Sequence, residues 1–227
     1  MIPLKDMTPR RSFPAMTLLL IFVNVAVFLY QVSLSPRAGD ALVRTLGLVP
    51  ARMQFALAGA HHVTLAQAFV PLFTCMFLHG GWMHIIGNMW FLWIFGGNVE
   101  DRFGSFPYLI FYLVCGLASG ISQAIFSWGS NIPSIGASGA ISGVLGAYLV
   151  FFPGSRILTL VPLFIIWFTA RIPAFIFILL WFMVQFLSGI GTLAMANAGG
   201  VAWWAHVGGF LTGLLIAMAW RPAIEYG

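Results

Sequence analysis

A serine stands between glycines in the run GASGAISG, residues 136–143. At the start of an apolar stretch, Ser138 could act as a nucleophile in acyl transfer. The run also has a structural interpretation, because small residues four positions apart, such as Gly139 and Gly143, let membrane helices pack closely. The run alone leaves both interpretations open, so the choice depends on the other polar residues of the chain.

Four further polar side chains interrupt apolar stretches elsewhere, namely His79, His84, Asn88 and His206. Polar and ionisable groups inside a membrane helix are costly, and by default they indicate a functional site. A histidine beside a serine hydroxyl can remove its proton and activate the oxygen as a nucleophile. Each of these residues alone could instead hydrogen-bond a neighbouring helix, so catalysis is indicated only if they lie together.

The composition predicts a polytopic membrane protein. Of the 227 residues, 61% are hydrophobic and only 7% are charged, whereas a soluble domain has roughly 25% charged residues. The length allows one bundle of about six spans, and no second sizeable domain. The net charge of +5 does not indicate nucleic-acid binding, because the basic residues are spread singly. The adjacent His61 and His62 are expected to be solvated loop residues rather than metal ligands.

The apolar runs predict an all-α polytopic bundle of six transmembrane helices with a long first loop. The predicted spans cover residues 15–33, 77–95, 107–126, 138–152, 173–187 and 203–220. The fourth is short, because it begins at Ser138 and ends before Pro153. In the first loop, residues 34–70, dense apolar side chains indicate short helices at the membrane interface. Residues 157–168 are too few to span, so a hairpin is expected there.

Basic residues predict which side of the membrane each loop occupies. One set borders the inner ends of the predicted spans: Lys5, Arg10, Arg11, Arg102, Arg156, Arg171 and Arg221. The opposite set lies in the first loop: Arg37, Arg44 and Arg52. We therefore expect a multi-pass protein of the cell's inner membrane with both termini cytoplasmic. Its expected organisation is a cytoplasmic segment (1–14), a membrane domain (15–221) and a cytoplasmic tail (222–227).

Helix geometry places the polar side chains at one depth. Ser138 and His206 stand the same number of residues before the inner ends of their predicted helices, about 22 Å in each case. His84 and Asn88 share one face of the second span, roughly 24 and 18 Å above Glu100. The fourth helix therefore begins inside the hydrocarbon core, where non-helical backbone must be covered by protein or line a water-filled cavity.

A strip of small residues on the sixth span, Ala205, Gly209 and Gly213, is able to pack against the glycines of the fourth. Such packing would bring the His206 imidazole within reach of the Ser138 hydroxyl.

These groups could together perform acyl transfer, with Ser138 attacking a carbonyl and His206 accepting its proton. The Ser138 backbone N–H, His84 and Asn88 could stabilise the oxyanion. No carboxylate is expected near the histidine, because the acidic residues lie on the cytoplasmic side or in the first loop: Asp6, Asp40, Glu100, Asp101 and Glu225. We therefore predict a Ser-His dyad rather than a triad. Neither an HExxH motif nor an intramembrane carboxylate pair occurs, so no metal or other cofactor is expected.

In combination and order, these residues resemble the motifs of the rhomboid intramembrane serine proteases. The resemblance covers about residues 73–220 and rests on four motifs: HGGWMHIIGNMW (79–90), GGNVEDRFG (96–104), GASG (136–139) and AHVGGFLTG (205–213). It implies that Ser138 is the nucleophile, His206 the general base, and His84 and Asn88 the oxyanion side chains. Ser142, one turn below Ser138, stands where relatives often carry an aromatic ring that packs on the histidine.

Several residues are expected to be structural: Gly136, Gly139, Glu100, Arg102 and Gly209. From the chain order, Glu100 and Arg102 would form an ion pair or a helix cap at the cytoplasmic end. The resemblance instead implies that they belong to a structural network of the first loop.

The expected function is that of an endopeptidase that hydrolyses peptide bonds in or near transmembrane segments of other proteins in the lipid bilayer. The resemblance implies substrates with small residues at the cleavage site and helix-destabilising residues nearby. Substrates are expected to enter sideways, past a short fifth helix and the glycine-rich loop 188–201. The alternative is a non-catalytic rhomboid-like binder of transmembrane helices. A channel is disfavoured because no ionisable pathway continues to the inner side.

Overall fold

A computed structural model describes residues 1–163, 166–193 and 202–225, most of which are helical. The helices are α1 (Ala15–Ser33), α2 (Pro36–Leu46), α3 (Pro50–Leu57), α4 (Leu65–Phe69), α5 (Pro71–Thr74), α6 (Trp82–Phe91), α7 (Gly97–Phe103), α8 (Ser105–Phe126), α9 (Ser138–Phe151), α10 (Ala174–Leu193) and α11 (Trp203–Glu225). A 3-10 turn, Cys75–Phe77, follows α5, and a π turn, Leu92–Gly96, joins α6 to α7. The strands are β1 (Ile2–Asp6), β2 (Arg156–Leu163) and β3 (Ile166–Pro173).

Four helices, α1, α8, α10 and α11, are long and apolar enough to cross a membrane. A fifth candidate is a bent pair of segments, Leu65–Phe77 and Trp82–Phe103, which meet at an angle of 75°. Helix α9 is apolar but shorter, as its sequence predicts. The polytopic helical bundle is therefore confirmed. The count of six stays a prediction, since it requires the bent pair and α9 each to serve as one span.

The second predicted span differs from the structure at both ends. The helix begins at Trp82 rather than at residue 77, and α6, the π turn and α7 continue to Phe103. Gly80 and Gly81 explain the late start, because paired glycines oppose helix formation. His79 therefore precedes the helix, and its backbone N–H donates to Gln31 Oε1 (3.0 Å) while its carbonyl accepts from Gln31 Nε2 (3.2 Å).

Glu100, on α7, caps the amino end of α1. Its carboxylate accepts hydrogen bonds from two first-turn N–H groups of α1 (2.9 and 2.8 Å) and from the hydroxyls of Thr17 and Ser105 (2.8 and 2.6 Å). An anion is favoured there, because those N–H groups have no partner within the helix and the helix dipole is positive. Arg102 lies over the Phe152 ring instead, at 5.0 Å. Glu100 is therefore a cap of α1, and in the described part of the chain its hydrogen bonds go to α1 and Ser105 rather than to Arg102 or the first loop.

The strands form one antiparallel sheet in the order β1-β2-β3. Strands β2 and β3 are the expected hairpin, with Arg156 opposite Pro173. Strand β1, which sequence reasoning did not predict, comes from the amino-terminal segment and pairs with β2. The Trp90 indole N–H donates to the Pro3 carbonyl at 2.6 Å and ties β1 to α6. The sheet therefore lies at the end of the molecule where α9 finishes.

The last two helices extend beyond the predicted spans, although the apolar stretch of the last helix, Trp203–Trp220, has the predicted bounds. Helix α10 has 20 residues rather than the short span of residues 173–187. Helix α11 begins at Trp203, as predicted, and continues to Glu225, beyond the predicted end at residue 220. Residues 194–201, which form most of the glycine-rich loop past which substrates are expected to enter, lie outside the described residues. Residues 226–227 of the expected tail also lie outside them.

Candidate active site

Glycines let α9 and α11 pack backbone against backbone. A Cβ added at Gly209 would overlap the Gly139 carbonyl oxygen, and one at Gly213 would overlap the Gly143 carbonyl oxygen. A Cβ at Gly139 would in turn overlap the hydroxyl of Ser119 on α8. The predicted contact between the small-residue strips is therefore confirmed. It fixes the first turn of α11 beside the first turn of α9.

This packing brings the predicted serine and histidine into contact. The Nε2 atom of His206 lies 2.8 Å from the Oγ atom of Ser138. His206 is buried, with 7% of its surface exposed, whereas Ser138 is half-buried. The start of α11 is also bonded to α8, since the Ala205 N–H donates to Gln123 Oε1 at 3.2 Å. The position of the imidazole is therefore fixed both by the bond between the α11 backbone and α8 and by its contact with Ser138.

The His84 ring and the Ser138 hydroxyl both lie close to Gly136. The φ angle of Gly136 is +129°, in the region that favours glycine, and a Cβ there would lie 2.7 Å from His84 Nε2 and 3.6 Å from Ser138 Oγ. The Gly80 N–H donates to His84 Nδ1 at 3.2 Å. A neutral imidazole that accepts at Nδ1 carries its proton on Nε2. His84 therefore presents an N–H donor beside Ser138.

Asn88 lies one turn after His84 on α6, in a buried position with 8% of its surface exposed. Its Nδ2 atom has no hydrogen-bond partner among the residues that the structure describes. Asn88 and His84 both line the cavity that contains Ser138. An amide donor is therefore available at this wall, as predicted from the shared face of the two residues.

A cavity of about 670 Å³ joins these groups. Its walls come from α6, the segment before α9, α9, α10 and α11, and they include both Ser138 and His206. This volume can hold a peptide segment together with several waters. The expected recess at the start of α9 is therefore present in the described part of the chain.

One polar residue at the site was missed by sequence reasoning. Gln185, on α10, has its Oε1 atom 2.7 Å from His206 Nδ1, and it also lines the cavity. The signal was present in the sequence, because Gln185 is the only amide in an otherwise apolar span. The rings of Trp181 and Trp203 lie 5.9 and 6.2 Å from the His206 ring, centroid to centroid.

Other predicted residues lie at the edge of the site or outside it. His79 is buried, and its ring contacts the His84 ring at 5.1 Å between centroids. Ser142 donates its hydroxyl to the Ser138 carbonyl at 2.6 Å and is buried beneath the site. His62 contacts the Phe55 ring in the first loop. In residues 1–163, 166–193 and 202–225, no group of three or more His, Cys, Asp or Glu side chains could hold a metal ion.

Such a geometry is suited to nucleophilic attack on a carbonyl group. A hydroxyl within hydrogen-bond distance of an imidazole can be deprotonated as it attacks. N–H donors beside the hydroxyl can stabilise the oxygen on which negative charge develops.

Comparison with known proteins identifies the family. The Rhomboid domain matches residues 66–223, well over half of the chain. The chain belongs to the rhomboid family. It is therefore a multi-pass membrane protein with a mostly helical rhomboid bundle, as its sequence predicts.

Relatives of this rhomboid include proteases of bacteria and proteins of plants. RHOMBOID-like protein 4 of Arabidopsis thaliana is 30% identical over 96% of this chain and 55% of its own length. Rhomboid protease GlpG of Yersinia pseudotuberculosis is 34% identical over 62% of this chain and 44% of its own length. Rhomboid protease GluP of Bacillus subtilis is 44% identical over 34% of this chain and 15% of its own length. The chain thus spans about half the length of the relatives that match most of it.

Proposed function

We propose that this rhomboid is an intramembrane serine endopeptidase, which hydrolyses peptide bonds in or near transmembrane segments of other membrane proteins. The observation that carries the proposal is the 2.8 Å contact between Ser138 Oγ and His206 Nε2 at the wall of a cavity. Helix packing alone would not require a half-buried hydroxyl to face both an imidazole and open space. The rhomboid proteases GlpG and GluP among the relatives support this class of reaction.

In the proposed reaction, Ser138 Oγ forms a bond to the carbonyl carbon of the scissile peptide while its proton passes to His206 Nε2. The tetrahedral intermediate collapses as the carbon–nitrogen bond breaks, and His206 gives its proton to the leaving amine. A water molecule then attacks the acyl-serine ester. His206 removes the proton of that water and returns it to Ser138 as the carboxyl product leaves.

The proposed oxyanion site has three donors. The Ser138 backbone N–H stands at the start of α9, where an anion is favoured by the helix dipole. His84 supplies its Nε2 proton, because Nδ1 already accepts from Gly80. Asn88 supplies its Nδ2 hydrogens, because that nitrogen has no hydrogen-bond partner in the described structure. Donors held in place before the reaction stabilise the transition state without reorganisation.

Labelling with a fluorophosphonate tests the nucleophile. The purified wild-type protein should become labelled at Ser138 and should cut a transmembrane substrate reconstituted in liposomes. Ser138→Ala should lose labelling and lower the cleavage rate by on the order of 10⁴-fold or more, while the protein still folds. Ser33→Ala is the matched control, because Ser33 is an exposed serine at the end of α1 that bonds only its own helix.

The alternative, a non-catalytic binder of transmembrane helices, predicts a different result. In that case the wild-type protein would bind the substrate peptide without cutting it, and no fluorophosphonate would be incorporated. Cleavage by the Ser138→Ala variant at the wild-type rate would also contradict the proposal.

A further inference from the structure

Both ring nitrogens of His206 have partners, and the second partner comes from α10. Gln185 Oε1 lies 2.7 Å from His206 Nδ1, on the side of the ring away from Ser138. Gln185 is 8% exposed and His206 is 7% exposed, so both side chains are largely buried in the cavity wall. Burial of an amide side chain in a membrane helix is energetically unfavourable, so its hydrogen bond to His206 indicates a function.

The bond selects the proton position that a base requires. A neutral imidazole carries one proton, and His206 can accept the Ser138 proton only if Nε2 is free and Nδ1 is protonated. An amide oxygen at Nδ1 accepts a hydrogen bond only from the protonated nitrogen. With Oε1 facing the ring, Gln185 therefore stabilises the tautomer in which Nε2 accepts from Ser138. The same contact holds the plane of the ring.

An amide suits this position better than a carboxylate would. An ionised carboxylate buried among the apolar side chains of α10 and α11 would lose its hydration, which is unfavourable before any attraction to the histidine is counted. The amide supplies an acceptor without a buried charge. Direct support for the ring from α9 is absent at position 142, because Ser142 points its hydroxyl at the Ser138 carbonyl. The support comes instead from α10, which carries Trp181 as well as Gln185.

We infer that Gln185 is the positioning residue of His206, so that the reacting groups form a Ser-His-Gln array rather than an isolated dyad. This inference rests on the proposed function, since the tautomer matters only if His206 acts as a base. It also makes catalysis depend on α10. Gln185 reaches His206 when α10 is packed on α11, a contact that includes the stacked rings of Phe182 and Phe210, 4.4 Å apart.

Two substitutions at position 185 distinguish positioning from packing. Gln185→Met keeps the length of the side chain but removes the acceptor, whereas Gln185→Glu keeps an acceptor oxygen. We expect Gln185→Met to lower kcat about 10-fold to 100-fold with little change in KM, and to slow fluorophosphonate labelling of Ser138 similarly. Gln185→Glu should retain a kcat within about 10-fold of the wild type. Leu187→Met is the matched control, because Leu187 lies on the exposed face of α10.

A packing role predicts the reverse order, with Gln185→Met close to wild type and Gln185→Glu impaired by its buried carboxyl group. That result would overturn the inference, as would equal kcat values for the wild type and Gln185→Met. Equal losses of kcat in both variants, together with lower thermal stability, would also overturn it. Failure of the proposed function is seen separately, because the wild type itself would then neither cut substrate nor become labelled.

Discussion

Among the side chains that line the cavity, His206 and His84 have hydrogen-bond partners, whereas the Nδ2 atom of Asn88 has none in the described structure. The ring nitrogens of His206 are both bonded, and His84 Nδ1 accepts from a backbone N–H. Asn88 Nδ2 is buried without a partner in the described structure. An unsatisfied buried group costs about 1–3 kcal/mol. Other buried polar atoms of the described residues also have no partner, so it is the position of Asn88 on the cavity wall that makes it a candidate donor to a substrate oxygen.

Asn88→Ala tests this interpretation. If Asn88 donates to the oxyanion, its removal should lower kcat about 10-fold to 10³-fold with a smaller effect on KM. The free energy of unfolding should be unchanged or higher, because an unpaired buried amide is removed. Steady-state cleavage and thermal unfolding of the same preparation give both quantities. A loss of substrate binding alone would assign Asn88 to helix packing.

Asn98 provides the matched control for that substitution. It is buried at the other end of the same bent segment, where its Nδ2 donates to Asp6 and to the Thr8 carbonyl. Asn98→Ala removes hydrogen bonds that hold the amino-terminal segment, so the free energy of unfolding should fall by about 1–3 kcal/mol. The rate per folded molecule should stay near that of the wild type.

Residue types and helix arithmetic predict the meeting of Ser138 and His206, because both stand at the start of an apolar helix of known rise. They do not predict Gln185. The face that a nearly uniform apolar helix turns to its neighbours depends on side-chain packing, which periodicity does not reveal. The tautomer of His84 was equally hidden, since it depends on the turn that directs the Gly80 N–H at the ring.

The contact between Ser138 and His206 depends on how closely helices α9 and α11 approach each other. The backbone of one helix lies against the backbone of the other at Gly139 and Gly209, and again at Gly143 and Gly213. Such proximity is what brings a short serine side chain within reach of an imidazole. The cost of separating the helices should therefore appear in both stability and rate.

Gly209→Ala is the smallest change that separates them. Its methyl group would overlap the Gly139 carbonyl oxygen, so α11 must shift. We expect the free energy of unfolding to fall by about 1–3 kcal/mol. A shift of about 1 Å at the site can lower the rate on the order of 100-fold. Thermal unfolding and cleavage of the same samples measure the two effects, and normal values of both would show that the helix contact is not required.

Gly39→Ala is the control for this substitution. Gly39 lies within α2, and a Cβ there meets nothing within 4 Å. Alanine in a helix interior is favoured over glycine by about 0.5–1 kcal/mol. The control should therefore be as stable as the wild type or slightly more stable, with an unchanged rate.

Apolar length and small-residue spacing predict the straight helices and the contact of α9 with α11. The helix bounds that differ from the prediction depend on contacts with other segments of the chain. The bend before α6 depends on a glycine pair and on the two hydrogen bonds of Gln31 to the His79 backbone. The continuation to Phe103 depends on burial of Glu100 against α1. Both require partners distant in sequence, which a period of 3.6 residues does not indicate.

The sheet and the first-loop helices lie at opposite ends of α9. The sheet, the Glu100 cap and strand β1 lie where α9 finishes, together with most of the basic residues. The first-loop helices lie where α9 begins, since Leu48 pairs with Ser134 just before that helix. The Trp220 ring near the carboxyl end of α11 contacts Phe103, at the sheet end. Strand β1 and the Trp220 end of α11 therefore lie at the same end of the bundle.

Charge counting predicts this separation but not the sheet that accompanies it. Residues 2–6 are too few and too mixed in character to indicate a strand by alternation. They become a strand because β2 offers an edge, and the pairing joins positions more than 150 residues apart, such as Ile2 and Leu160. Non-local pairings of this kind are set by the assembled bundle rather than by the local sequence.

The sheet end is predicted to face the cytoplasm, because basic residues concentrate there. Single cysteines at Gly154, in the turn after α9, and at Gly39, in α2, report the two sides, since a side chain at either position meets nothing within 4 Å. The native Cys75 and Cys115 are buried, so the wild-type protein gives the background. A membrane-impermeant maleimide added to intact spheroplasts should label Gly39→Cys and not Gly154→Cys. After permeabilisation both should be labelled, whereas the reverse pattern in intact spheroplasts would place the cavity at the cytoplasmic face.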